Sequence, residues 1–255
     1  MLLHSYAQRG EDLVLFAALA NVRCGYYIDV GAHDSVLHSV TKLFYDRGWS
    51  GINVEPIEKY HETLVRDRPR DVNLLVAAGE WSGEIILHEF FDSSLSTVLD
   101  HCAERHRQSG LKGCSRIVPV RRLDEICAEY ARGEIHFLKI DVEGAESQVL
   151  KGGNWSRYRP WIVVIEAFEP LSNVPTYMAS EEILFKAGYE FAASDSLNRY
   201  YVPRDRRALK PVLKCAAAGS IAKVKMQDFA LRLRLLYRSC VGFKQVSNSL
   251  TKGKQ

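Results

Sequence analysis

Asp29-Val30-Gly31-Ala32-His33-Asp34-Ser35 closes the short apolar run Tyr26 to Val30, and Asn53-Val54-Glu55-Pro56 closes a second run, Gly51 to Val54. A short apolar run bounded by glycine reads as a buried strand of a parallel sheet. In open α/β sheets ligands sit at the carboxyl ends of the strands, where both motifs fall. Gly31 lets the backbone turn tightly and approach a ligand. Asp29 places negative charge at that point, which suits a ligand carrying an ammonium and a sulfonium and would repel a pyrophosphate. The loop also lacks a full G-x-G-x-x-G. Glu55 follows Asp29 by 26 residues, and an acid at about that distance accepts hydrogen bonds from ribose hydroxyls. These residues make S-adenosylmethionine the expected cofactor, with Asp29, Gly31, Ala32, His33, Glu55 and Pro56 as its candidate contacts. The structural alternative is a strand-end acid, a turn glycine and a solvated carboxylate before a proline.

Outward from these motifs, strands and helices alternate. Val40 to Arg47 and Ile57 to Arg68 have helical spacing, Leu74 to Ala78 reads as a third strand, and Glu84 to Phe91 as another. The stretch Asp92 to Ser115 reads as a long loop with a helical patch, a length that suits a lid. Ile135 to Ile140 is a strand, Ala145 to Leu150 a helix, Trp161 to Ile165 a strand and Glu181 to Ala187 a helix. Tyr189 to Ala193 and Arg199 to Val202 flank the turn residues Asp195-Ser196-Leu197-Asn198 and read as a hairpin. The expected fold is therefore α/β, a Rossmann-like sheet that is mostly parallel and ends in an antiparallel C-terminal hairpin. A dinucleotide-binding dehydrogenase would stay parallel.

Two further strand ends carry chemistry. Ala77-Ala78-Gly79-Glu80 falls where such a fold packs on adenine, with Glu80 placed to accept from the exocyclic amine or to serve as a surface turn residue. Phe137-Leu138-Lys139-Ile140-Asp141-Val142-Glu143-Gly144-Ala145-Glu146 brings three carboxylates within six positions of an apolar strand. Asp141 and Glu143 are candidates for cofactor binding, proton abstraction or metal binding. Glu146 suits the positive end of the following helix dipole. His33 is a third candidate base. Glu166, ending the strand after, pairs with Asp141 as a candidate Mg²⁺ site. His136 reads as packing. Gln8, Glu11 and Asp12 read either as a cover over the cofactor or as the start of a surface helix.

Taken in order, these motifs resemble the FkbM-type methyltransferase family. Further matching pieces are Tyr6-Ala7-Gln8-Arg9-Gly10-Glu11-Asp12, Ser39 to Tyr45, Gly48 to Pro56, Arg159 to Ala167 and Leu197 to Val202, so the resemblance spans about residues 5 to 203. His33 and Ser35 stand where that family often carries Asn and Gly. The resemblance implies a class I methyltransferase fold, O-methylation of a hydroxyl on a sugar, glycan or natural product, cofactor roles for Asp29, Gly31 and Glu55, and active-site roles for Asp141 and Glu143.

Composition is compatible with a globular enzyme: 255 residues, 47% hydrophobic and 25% charged. The net charge of +3 gives no reason to expect nucleic acid as a partner. The six cysteines are scattered without a C-x-x-C pair, so reduced thiols and a cytoplasmic setting are expected. The first residues lack a charged region leading into an apolar run, and no apolar stretch approaches bilayer length. Residues 1–203 are read as the catalytic domain with its cover, and 204–255 as a basic extension whose only acids are Asp205 and Asp228. Leu209 to Ala218 and Ile221 to Leu236 read as amphipathic helices. They either pack on the domain, pair subunits in a homo-oligomer, or lie on an anionic membrane surface. The rival functions are an NAD(P)-dependent oxidoreductase and a cofactor-binding module without catalysis.

Overall fold

The computed structural model describes residues 4–91, 93–169, 171–172 and 174–219. Strands β1 (Tyr26–Val30), β2 (Ser50–Val54) and β3 (Val72–Leu74) come first. They are followed by β4 (Ala77–Gly79), β5 (Gly83–Phe90) and β6 (Gly113–Arg122), then β7 (Phe137–Ile140) and β8 (Ile162–Glu166). The last two, β9 (Tyr189–Ser194) and β10 (Asn198–Pro203), form the hairpin. The helices are α1 (Glu11–Ala18), α2 (Lys42–Tyr45), α3 (Glu58–Asp67), α4 (Asp100–Gln108), α5 (Leu123–Tyr130), α6 (Glu146–Lys151) and α7 (Tyr177–Lys186).

Seven strands form one sheet in the order β3-β2-β1-β7-β8-β10-β9. Neighbours from β3 to β8 are parallel, and β10 runs antiparallel to both β8 and β9. This is the expected mostly parallel α/β sheet closed by an antiparallel hairpin. Every residue of β1 and of β8 is buried, which is why these strands read as unbroken apolar runs. Successive side chains of β1 serve opposite layers. Tyr26, Ile28 and Val30 pack with Leu123, Ile126, Val149 and Leu184 of α5, α6 and α7. Tyr27 packs with Leu15 and Phe44 of α1 and α2 on the other face. Burying a side chain of this size contributes about 1.5–3 kcal/mol.

The region between β3 and β7 departs from the sequence reading. The run read as a single strand from Leu74 to Ala78 is divided: β3 pairs with β2, whereas β4 belongs to a second sheet ordered β4-β6-β5. An apolar run reports burial, not which sheet it joins. The stretch read as a loop to Ser115 contains α4 and the start of β6. Arginines and Pro119 masked β6. Pro119 is tolerated because β4 reaches only to Val120, so this part of β6 pairs with β5 alone. Only Val118 and Val120 point inward from it. The two-turn helix α5 was also missed.

Of the basic extension, Arg204–Leu209 form a 3₁₀ turn and residues 210–219 are helical. Leu213 and Ala217 are buried against the α1 and α2 layer. The second helix expected there, Ile221 to Leu236, lies outside the described residues. No helix among the described residues is long and apolar enough to cross a membrane.

Candidate active site

The carboxyl ends of β1, β2 and β7 are stitched together by backbone hydrogen bonds. Gly31 N–H donates to Val54 O at 2.9 Å, and Asp141 N–H donates to Val30 O at 3.0 Å. Gly31 has φ +74°, and a Cβ on it would fall 1.8 Å from the Asp141 carbonyl oxygen. Both the conformation and the contact require glycine. His33 follows with φ 51°, a left-handed setting that Asn and His enter more readily than most residues. This explains how His33 can stand where Asn is common. Its N–H donates to Glu55 Oε2 at 2.8 Å, and its ring lies on Tyr60 with centroids 3.8 Å apart. Burial, and then the nearby Lys139 charge, lower its imidazole to about 4, so it is neutral near pH 7. Its Nε2 is buried without a hydrogen-bond partner among the described residues.

Glu55 is 3% exposed, and its Oε1 accepts from Ile57 N–H at 2.9 Å. Burial raises its carboxyl to about 7 despite the bonds from Ile57 and His33. Val30 and the Gly31–His33 turn, with Glu55 and Pro56, thus form one end of an open cleft.

Asp29 does not line this cleft. Its buried carboxylate accepts from the Thr41 hydroxyl at 3.0 Å and lies 3.3 Å from the Lys139 ammonium. The sequence reading placed its charge before the ligand, whereas the sheet pairs Asp29 with Lys139 across β1 and β7. Lys139 also donates to Gly31 O at 2.7 Å and lies 3.4 Å from Asp141. Burial works against its charge, but Asp29 and Asp141 more than compensate and hold it protonated. Lys139 lines the cleft and went unassigned in the sequence, although a lysine inside an apolar strand already implies a buried partner.

At the other end, one oxygen from each of Asp141, Glu143 and Glu166 lies within 4.8 Å of the others. The sequence offers Asp141 and Glu143 as bases or ligands and pairs Asp141 with Glu166 as a metal site; the fold brings all three together. Glu143 has φ 55° and precedes Gly144 at φ 102°, so the chain reverses sharply there. Burial and then Asp141 push the Glu143 carboxyl well above its usual range, and burial, Asp141 and Glu143 do the same to Glu166. Glu146 has a separate task. It is 2% exposed, and its Oε1 accepts from Val142 and Gly144 N–H, both at 3.1 Å. It clasps the loop that carries Glu143.

The cleft wall is completed by Ala77, Ala78, Ser96, Thr97, Gln8 and Asn198. The Thr97 hydroxyl donates to Glu143 O at 2.9 Å, tying the 94–98 segment to the carboxylates. Glu11 lines the cleft too. It accepts from Asn198 Nδ2 at 3.0 Å and from Arg9 N–H at 2.8 Å. Burial and the nearby Asp195 raise it to about 7. Glu11 and Asp12 are both buried, so they are not the start of a surface helix. Glu80 is corrected outward: it is half-exposed, 3.3 Å from Lys151, and does not line the cleft. Residue 80 follows the end of β4 in the second sheet, which aims it away from the site.

The model of the methyltransferase FkbM domain matches residues 29–191. Among solved structures, the FkbM methyltransferase of Methylobacillus flagellatus KT is 18% identical, with a TM-score of 0.46. That match covers 71% of this chain and 44% of the other, so the chain spans under half the length of that relative. The O-methyltransferase of Bacillus cereus, solved in complex with SAH, is 10% identical with a TM-score of 0.40, covering 79% of this chain and 84% of that one. No curated protein matches. The family match takes in the strand ends of β1, β2, β7 and β8 that build the cleft, and the chain belongs to the FkbM methyltransferase domain family.

Proposed function

We propose that this methyltransferase uses S-adenosylmethionine and transfers its methyl group to a hydroxyl of a sugar, glycan or natural-product acceptor. The observation that carries the reading is a single cleft with the Gly31–His33 turn and Glu55 at one end and the Asp141, Glu143 and Glu166 carboxylates at the other. The residues present fit the cofactor. Glu55 has oxygen lone pairs available for ribose hydroxyls, the Gly31 turn lets a ligand approach the backbone, and His33 Nε2 is a buried polar atom awaiting a partner. Ala77 and Ala78 offer a flat apolar wall suited to a purine.

When bound, S-adenosylmethionine supplies a methyl group on a sulfonium. The protein has to align the acceptor oxygen in line with it. The proton that an acceptor hydroxyl gives up would pass to one of the carboxylates at the other end of the cleft, Asp141 or Glu143. His33 is assigned to binding. Its backbone N–H is bonded to Glu55, and its lowered basicity makes it the weaker proton acceptor. The sugar or natural-product character of the acceptor follows from the family resemblance alone.

Calorimetric titration with S-adenosylhomocysteine, with NADH in parallel, tests the reading. Binding of the homocysteine adduct that is lost in Glu55→Ala supports it. Preference for NADH, or binding of neither, overturns it.

A further inference from the structure

We propose that Asp141, Glu143 and Glu166 hold a divalent cation of the hard, oxygen-preferring class, Mg²⁺ or Mn²⁺, at the acceptor end of the cleft. The first support is geometric. Mg²⁺ binds oxygen at roughly 2.0–2.1 Å, so opposite ligands lie about 4.2 Å apart. The three carboxylate oxygens, all within 4.8 Å of one another, meet that demand after small side-chain adjustments.

The second support is Glu166. It is 9% exposed, and its Oε2 is buried with no hydrogen-bond partner among the described residues. The other deeply buried acids here are provided for: Glu55 and Glu146 accept backbone N–H bonds, and Glu11 accepts from Arg9 and Asn198. A buried carboxylate oxygen left without a donor is costly, and such a group calls for a ligand.

The third support is charge. Among the described residues lining the cleft, Lys139 is the one lysine or arginine. Its contacts are with Gly31 O, Asp29 and Asp141. Lys139 therefore acts on Glu143 and Glu166 only from beyond ion-pair distance, and neither is ion-paired among the described residues. An all-oxygen donor set selects Mg²⁺ or Mn²⁺ over Zn²⁺ or copper. The other cluster of metal-ligating types, His101, Cys102 and Glu169, lacks this need, because Arg105 pairs with Glu169 at 2.7 Å.

Three protein ligands leave open positions on the ion, which face the cleft and would orient the acceptor hydroxyl. That role rests on the proposed methyl transfer; the binding itself does not.

Manganese binding to the full chain, followed by loss of the free-ion electron paramagnetic resonance signal, is the test. One Mn²⁺ per chain, displaced by Mg²⁺, is expected. Glu166→Gln and Glu143→Gln should each weaken it about tenfold or more, since affinity follows the number of charged ligands. Glu80→Gln should leave it unchanged. Circular dichroism melts establish that each variant is folded. Mn²⁺ that stays free, or that binds wild type and both site variants equally, overturns the proposal. S-adenosylhomocysteine titrated in EDTA separates the two readings: binding there without any manganese site sinks the cation alone, whereas a manganese site without cofactor binding sinks the proposed function alone.

Discussion

The Lys139 ammonium stands 3.3 Å from the Asp29 carboxylate and donates to the Gly31 carbonyl, so one buried cation ties the end of β1 to the end of β7. The pair is register-matched across the two strands. Removing one partner strands the other charge in the interior, which costs about 3–5 kcal/mol. Lys139→Met should lower the urea midpoint by that much, and Lys139→Met combined with Asp29→Asn should recover part of the loss. Equal stability of the two variants would show that the pair carries no such coupling.

Gly31→Ala meets both a left-handed backbone and the Asp141 carbonyl. The conformational part alone costs about 1–2 kcal/mol, and the contact pushes the β7 end outward. Thermal melting should fall, and S-adenosylhomocysteine binding should weaken beyond what the stability loss explains. A variant that binds as tightly as wild type would remove the turn from the cofactor site.

Glu55 gives a pH dependence. Its carboxyl is raised to about 7 in the folded chain from an ordinary value near 4.5. The folded state therefore holds the extra proton, and this group's stability contribution is complete below pH 4.5 and is lost as pH rises through 7. The slope is at most about 1.4 kcal/mol per pH unit. Glu55→Gln should remove one group's share of the fall in urea stability between pH 5 and about 8, while Glu11, raised to about 7 as well, keeps its own. Cofactor affinity should run the opposite way in wild type, rising through neutrality as the ionised carboxylate becomes available to ribose hydroxyls. Affinity flat in pH would dissociate Glu55 from that contact.

Arg68 is buried and reaches from the end of α3 to Ser35 O, Ser39 Oγ and the Thr41 hydroxyl, with Asp71 at 3.9 Å. It braces the segment that follows the glycine turn, and Thr41 in turn holds Asp29. Arg68→Met should destabilise by about 3–5 kcal/mol, and Arg68→Lys should rescue little, because an ammonium cannot reproduce the guanidinium fork. Full rescue by lysine, read from denaturation midpoints, would reduce Arg68 to a simple charge.

Glu143→Gln should lower kcat by roughly 10²–10⁴-fold, the usual worth of a positioned base. KM for S-adenosylmethionine should change little, since Glu143 lies at the acceptor end. Unchanged turnover would exclude Glu143 from proton transfer.

Much of the fold is legible in the sequence. Tyr26 to Val30 is a strand with those limits, and the Asp195–Asn198 turn joins the hairpin. Both are written locally, as a short apolar run and as turn chemistry. β6 was not legible, because its arginines face outward and only two valines mark the inner face. The division of Leu74 to Ala78 between two sheets was equally hidden, since burial on either sheet demands the same residues.

The sequence by itself determined the parallel sheet with its closing hairpin, the glycine turn after β1, and the acids at the ends of β2, β7 and β8. Those features depend on neighbours within a few residues. Tertiary structure alone decided which acids do what. Asp29 faces Lys139 and not the cleft, Glu80 points to solvent beside Lys151, and Glu143 meets Glu166 from 23 positions away. Strand order sets which ends become adjacent, and the alternation of side chains along each strand sets which acid enters the cleft and which is buried behind it.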